Sequence, residues 1–149
     1  MSTTPQFPVV QSYLNFDGRC EEAVEFYKKA LGAEVEMMLR FKDNPEPQQC
    51  SGDKIADNAN KIMHTSFRIG ATTVMASDCE CSGQTKFQGI SLSLSVQTPE
   101  DAAKYYNALA EGGQPFMPLT KTFFSPSFGV VSDKFGVSWM IMAHPPKNA

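Results

Sequence analysis

Two six-residue stretches set the frame for this chain. Glu22-Ala23-Val24-Glu25-Phe26-Tyr27 aligns without a gap on Asp101-Ala102-Ala103-Lys104-Tyr105-Tyr106. Each lies in a segment with helical apolar spacing, and each predicted helix follows one predicted strand and precedes three. The chain therefore reads as one unit used twice: strand, helix, three strands. A single unit covers only one face of its sheet with its helix. Two units are expected to combine with the helices on convex faces, leaving a concave, partly apolar cleft. The expected fold class is α+β. Two βαβββ modules, at about residues 9–77 and 90–143, make a single domain of 149 residues with curved mixed sheets.

The elements follow from local signals. Residues 9–16 read as a strand between Pro8 and Asp17-Gly18. The first helix spans residues 20–31. Glu21 and Glu22 sit in its first turn, where the helix dipole favours acids, and Ala23, Val24, Tyr27 and Leu31 form its apolar stripe. Gly32 caps its C-terminus. Residues 34–41 read as the second strand, and residues 62–69 and 72–77 as a hairpin turned at Gly70-Ala71. In residues 90–96, Leu92, Leu94 and Val96 alternate with Ser91, Ser93 and Ser95, the pattern of a half-buried strand. Thr98-Pro99-Glu100-Asp101 starts the second helix with a Thr cap and Pro at the first helical position. That helix runs to about Ala110 and ends at Gly112-Gly113. Strands follow at residues 116–122, 128–132 and 137–143. The last comes after a tight Asp133–Gly136 turn and is apolar on both faces, which places it inside a sheet. Residues 42–61 hold Pro45, Pro47, Gly52, Asn44, Asn58 and Asn60 and show no period. They are expected to be a mobile loop at the cleft mouth or a dimer edge. Residues 78–88 read as another loop, and those after Pro145 as a frayed tail.

Composition narrows the classes of function. Hydrophobic residues make up 42%, enough for a real core. The 13 basic and 16 acidic residues give a net charge of −3 without a long basic run, which argues against nucleic-acid binding. No apolar run is long enough for a membrane span, and the N-terminus lacks the regions of a signal peptide, so a cytoplasmic location is expected. Cys20, Cys50, Cys79 and Cys81 are then expected to be free thiols. Cys79-x-Cys81 is not the spacing of a zinc knuckle.

Phe26-Tyr27-Lys28-Lys29-Ala30-Leu31-Gly32 resembles the first-helix signature of the vicinal oxygen chelate superfamily, the glyoxalase, bleomycin-resistance and extradiol dioxygenase fold. His64-Thr65-Ser66-Phe67-Arg68-Ile69-Gly70, Met75-Ala76-Ser77-Asp78 and Asp133-Lys134-Phe135-Gly136-Val137-Ser138-Trp139 resemble its PhnB-like subgroup. The resemblance runs from about Val9 to Ala143. It implies the paired βαβββ fold and a homodimer. It also implies a concave metal site built from His or Glu on the first and last strands of the repeats. Alignment through the helices puts Ser12, Ser91 or Ser93, and Met140 at those positions, none of them a usual ligand for a hard divalent ion. No metal and no other cofactor is therefore expected. Some PhnB-like proteins carry a ubiquinone methyltransferase label or a link to phosphonate metabolism. This chain has no Gly-rich strand-to-helix turn for a nucleotide-type cofactor, so methyl transfer is not expected.

Two functions stand at this point. One is a metal-free binding protein for a small molecule. Its apolar lining would come from Met75, Met140, Met142, Phe124 and Phe128, with Phe123 beside them, and its polar contacts from Ser12, Ser77, Ser91 and Ser93. The other is a lyase or isomerase with His64 as general base and Asp78 orienting it, metal-dependent in one variant. The preferred reading of His64 by itself is a strand-end histidine satisfied by backbone, and that of the apolar side chains is ordinary core. Arg68 reads as an anion holder or as one half of a surface ion pair.

Overall fold

The computed structural model describes residues 7–43, 59–78 and 86–145. The expectation of a mobile 42–61 loop falls largely on residues outside that range, as do Cys50, Cys79, Cys81 and the tail after Pro145. The chain divides into two compact units, Met1–Gln84 and Thr85–Ala149.

The first unit contains β1 (Tyr13–Asn15), α1 (Cys20–Leu31), β2 (Glu34–Arg40), β3 (Ile62–Ile69) and β4 (Thr72–Ser77). Its sheet has the order β1-β4-β3-β2, with β1 parallel to β4 and the other pairs antiparallel. The second unit contains β5 (Ser91–Val96), α2 (Pro99–Ala110), β6 (Gln114–Thr120), β7 (Phe128–Ser132) and β8 (Ser138–Ala143). Its order, β5-β8-β7-β6, repeats the first. This is the expected α+β pair of βαβββ units. It also puts the apolar strand β8 inside its sheet, between β5 and β7.

Each helix packs on one face of its own sheet. From α1, Ala23, Val24 and Tyr27 are buried together with Leu14, Phe67, Val74 and Ala76 of the strands. The Tyr27 ring stacks on Phe67 with centroids 6.0 Å apart. From α2, Ala102, Tyr106 and Leu109 are buried with Val131, Trp139 and Ile141. Each such large apolar side chain contributes roughly 2–3 kcal/mol by leaving water. The caps agree with the sequence reading. Gly32 adopts the left-handed conformation (φ 68°), and its N–H donates to the Lys28 carbonyl at 3.1 Å. Thr98 accepts from Asp101 N–H at 3.1 Å. The Asp133 carboxylate is buried. It accepts from Phe135 N–H (2.9 Å), Val137 N–H (3.1 Å) and the indole N–H of Trp139 (2.9 Å), so it holds both the turn and the strand after it.

Two strands differ most from expectation. β1 spans three residues where residues 9–16 were expected, because its pairing with β4 covers only Tyr13, Leu14 and Asn15, and Val10 is 98% exposed. β6 begins at Gln114, which pairs with Ser132, and ends at Thr120, before the turn in which Thr122 N–H donates to Ser125 O. Pro115 and Pro118 lack a ladder donor. β6 accommodates them as an edge strand with register shifts on either side of Met117.

Gly113 sits where α2 turns into β6. A Cβ there would stand 2.1 Å from the Ser132 carbonyl oxygen and 2.9 Å from Asp133 backbone atoms. Backbone cannot yield as a flexible side chain does, so Gly113→Ala is expected to cost at least about 2 kcal/mol of unfolding free energy in urea. A change below about 0.5 kcal/mol would contradict this packing.

Candidate functional site

Strand parity decides what each sheet shows on the side away from its helix. In the first unit Leu14, Thr65, Phe67, Val74 and Ala76 are buried, so Tyr13 and Asn15, His64, Ser66 and Arg68, and Thr73, Met75 and Ser77 face the other way. The register gives one row of Tyr13, Met75, Ser66 and Met37 across all four strands. In the second unit Trp139, Ile141, Val131 and Gly129 are buried under α2. The opposite face carries three rows. These are Ser91, Ser138, Ser132 and Gln114; Ser93, Met140, Val130 and Met117; and Ser95, Met142, Phe128 and Thr120.

The predicted ligand-binding residues fall on these faces, apart from two. Ser91, Ser93, Met140, Met142 and Phe128 share the open face of the second sheet. Phe124, in the loop before β7, packs edge-on against Phe128 at 5.1 Å, with Phe123 edge-on to it in turn. Met140 is 36% exposed and Phe123 wholly exposed. The Ser91 and Ser138 hydroxyls lie 2.8 Å apart. In the first unit Met75 is on the open face, whereas Ser77 is buried there and donates to Asn15 Oδ1 at 2.9 Å. Ser12 precedes β1 and takes part through its carbonyl, which accepts from Met75 N–H at 3.0 Å. The residue of β1 opposite Met75 is Tyr13, and in the second unit the pair in the same place is Ser93 opposite Met140. Alignment through the helices thus runs one residue off alignment through the strands, because the strand-to-helix turns differ in length.

His64 and Asp78 have separate partners. Asp78 is 1% exposed, and its Oδ1 accepts from Gly18 N–H (2.6 Å) and Cys20 N–H (2.9 Å), while Oδ2 accepts from Ile62 N–H (3.0 Å). It is a cap for α1 supplied from 58 residues away, where Arg19 makes no side-chain cap. His64 Nδ1 lies 3.1 Å from the Tyr13 hydroxyl, with ring centroids 5.6 Å apart. Tyr13 is the open-face residue that parity shows, one position from the Ser12 to which helix alignment points. Its only signal in the sequence is Leu14, whose apolar side chain must point inward.

Two other groups have structural roles. Arg68 pairs with Glu34. Cys20 stands at the N-terminus of α1, where the dipole favours a thiolate, yet burial pushes its thiol pKa well up and the Asp78 and Glu21 charges push it further. Desolvation outweighs the dipole, so the thiolate form is disfavoured here.

A metal site of the superfamily kind takes His or carboxylate from the first and last strands of the units. The open-side residues of those strands are Tyr13, Asn15, Thr73, Met75 and Ser77 in one unit, and Ser91, Ser93, Ser95, Ser138, Met140 and Met142 in the other. Hydroxyls, an amide and thioethers do not fit a hard divalent ion. Among the described residues no three His, Cys, Asp or Glu side chains come together. Nor does any helix among them have the length and apolarity to cross a membrane.

Comparison with known proteins agrees with the fold. The model of a family described as 3-demethylubiquinone-9 3-methyltransferase matches residues 8–142. Protein YjdN of Escherichia coli is 37% identical over 135 residues, covering 87% of this chain and 90% of that protein. The crystal structure of protein PA1353 from Pseudomonas aeruginosa is 41% identical with a TM-score of 0.77, over 91% of this chain and 98% of that one. A Bacillus cereus structure titled putative 3-demethylubiquinone-9 3-methyltransferase, PhnB protein, is 26% identical with a TM-score of 0.72, over 91% and 99%. A glyoxalase-related enzyme from Fulvimarina pelagi, 18% identical with a TM-score of 0.60 over 94% and 90%, shares the fold.

Asp78→Ala is expected to leave three buried amide donors without their acceptor and to destabilise the chain by about 3 kcal/mol or more in urea unfolding. A loss below about 1 kcal/mol would show that the carboxylate is not the cap.

Proposed function

This chain belongs to the PhnB-like family described as 3-demethylubiquinone-9 3-methyltransferase, on the glyoxalase fold, and from that premise we propose that it binds a small, largely apolar molecule on its open sheet faces without the superfamily metal. The observation that carries this reading is the central row of the second sheet, Ser93, Met140, Val130 and Met117, beside the Phe124 and Phe128 rings. Thioethers and edge-on rings make an adaptable apolar surface, and the serines on β5 border it with hydroxyls.

The helix N-termini support a reading without a nucleotide-type methyl donor. Such donors sit on a Gly-rich turn whose amides face an anion. Here the turn before α1 closes on the Asp78 carboxylate and the turn before α2 on the Thr98 hydroxyl. The Gly18, Cys20 and Asp101 amides thus already have side-chain acceptors from the protein itself.

Labelling the methionine methyl groups with carbon-13 tests the proposal. Titration with a panel of small aromatic and aliphatic compounds is expected to shift Met140, Met142 and Met117, and Met140→Lys is expected to weaken the binding about tenfold or more. Shifts confined to methionines off these faces, or no shift with any compound, would contradict it.

A further inference from the structure

The open face of the first unit holds a polar pair that the apolar surface of the second does not explain. Tyr13 on β1 and His64 on β3 are separated by β4, yet the phenol oxygen lies 3.1 Å from Nδ1 across that strand. Strand register does not require the bond, because Tyr13 is 44% exposed and water was available to its hydroxyl. A phenol O–H is a better donor than a neutral imidazole N–H, so the pair settles with Tyr13 donating to Nδ1. The neutral ring then carries its proton on Nε2. Nε2–H becomes a fixed donor on the same face as the Met75 thioether and the Ser66 hydroxyl, which occupy paired positions on β4 and β3. The Asp78 carboxylate accepts from three backbone amides, and it is the Tyr13 hydroxyl that stands at hydrogen-bond distance from the imidazole.

We propose that Tyr13 and His64 form a recognition site for an acceptor oxygen, carbonyl or phenolate, on a planar and otherwise apolar molecule. His64 Nε2 donates to that oxygen. Tyr13 is the positioning residue: its hydroxyl fixes the imidazole tautomer and ring orientation. Met75 supplies a polarisable contact for the body of the ligand. The inference rests on the open faces being binding surfaces and names the polar anchor of one of them.

The experiment uses 4-nitrophenolate, a planar probe with one charged acceptor oxygen, above the pH range in which imidazole normally titrates. Affinity is read by absorbance, contact by the Met75 methyl signal, and the tautomer by nitrogen-15 shifts of the His64 ring. The wild-type protein is expected to bind with a shift at Met75 and a protonated Nε2. His64→Asn, whose amide reaches only the Nδ1 position, is expected to lose about tenfold in affinity or more. His64→Gln, whose amide reaches the Nε2 position, is expected to recover part of that loss. Tyr13→Phe is expected to weaken binding and mix the two tautomers while the backbone spectrum stays folded. Met75 shifts with equal affinity in all four proteins would overturn this proposal and leave the binding reading standing. No binding by the wild type, with no methionine responding to any other compound either, would overturn both. A proton on Nδ1 in the wild type would overturn the role given to Tyr13.

Discussion

The first unit depends on one buried carboxylate. Asp78 joins the end of β4, the start of β3 and the N-terminus of α1, because its two oxygens accept from Ile62, Gly18 and Cys20. Charged acceptors make the stronger hydrogen bonds, and burial raises the penalty for losing one. The same contact disfavours two chemistries at that spot. The carboxylate is engaged by backbone amides instead of orienting an imidazole, and its charge adds to burial in pushing the Cys20 thiol pKa up. The second unit meets the same needs with other residues. Thr98 caps α2 locally, Asp133 holds the β7–β8 turn, and the Ser125 hydroxyl lies 2.6 Å from the Ala143 carbonyl oxygen at the end of β8. The two halves repeat in topology more closely than in the chemistry that ties them.

With helices fixed on one face of each sheet, parity determines what remains displayed. Met75 and Met140 occupy matching positions on the last strands, opposite Tyr13 and Ser93 on the first. A fold whose relatives include a glyoxalase-related enzyme here presents hydroxyl, imidazole, thioether and aromatic groups at those places. Such a surface suits recognition of an organic molecule better than coordination of a hard ion.

Much of the architecture was legible because the signals were local. The Ser-Leu alternation of residues 91–96, the Thr98-Pro99 helix start, Gly32 as a cap and the Asp133 turn each depend on neighbours within a few residues, and each appears as read. The misplacements have tertiary causes. β1 is short because only three residues find partners on β4. Alignment through the helices points to Ser12 where strand pairing puts Tyr13 opposite Met75, and one residue of slip exchanges the two faces. Asp78 looked like half of a catalytic pair because its cap partners are far away in sequence; no local pattern marks a helix cap that comes from 58 residues downstream.

The central claim is that these strands present a binding surface with no place for the superfamily's divalent ion. Elemental mass spectrometry of the full chain, purified without chelator or nickel affinity, tests it most directly. The account predicts well below about 0.1 equivalents of zinc, manganese, iron or nickel per chain, because a catalytic site needs about three good ligands. About one tightly held equivalent per chain, retained through gel filtration and lost on replacing Tyr13 or Met140, would contradict it.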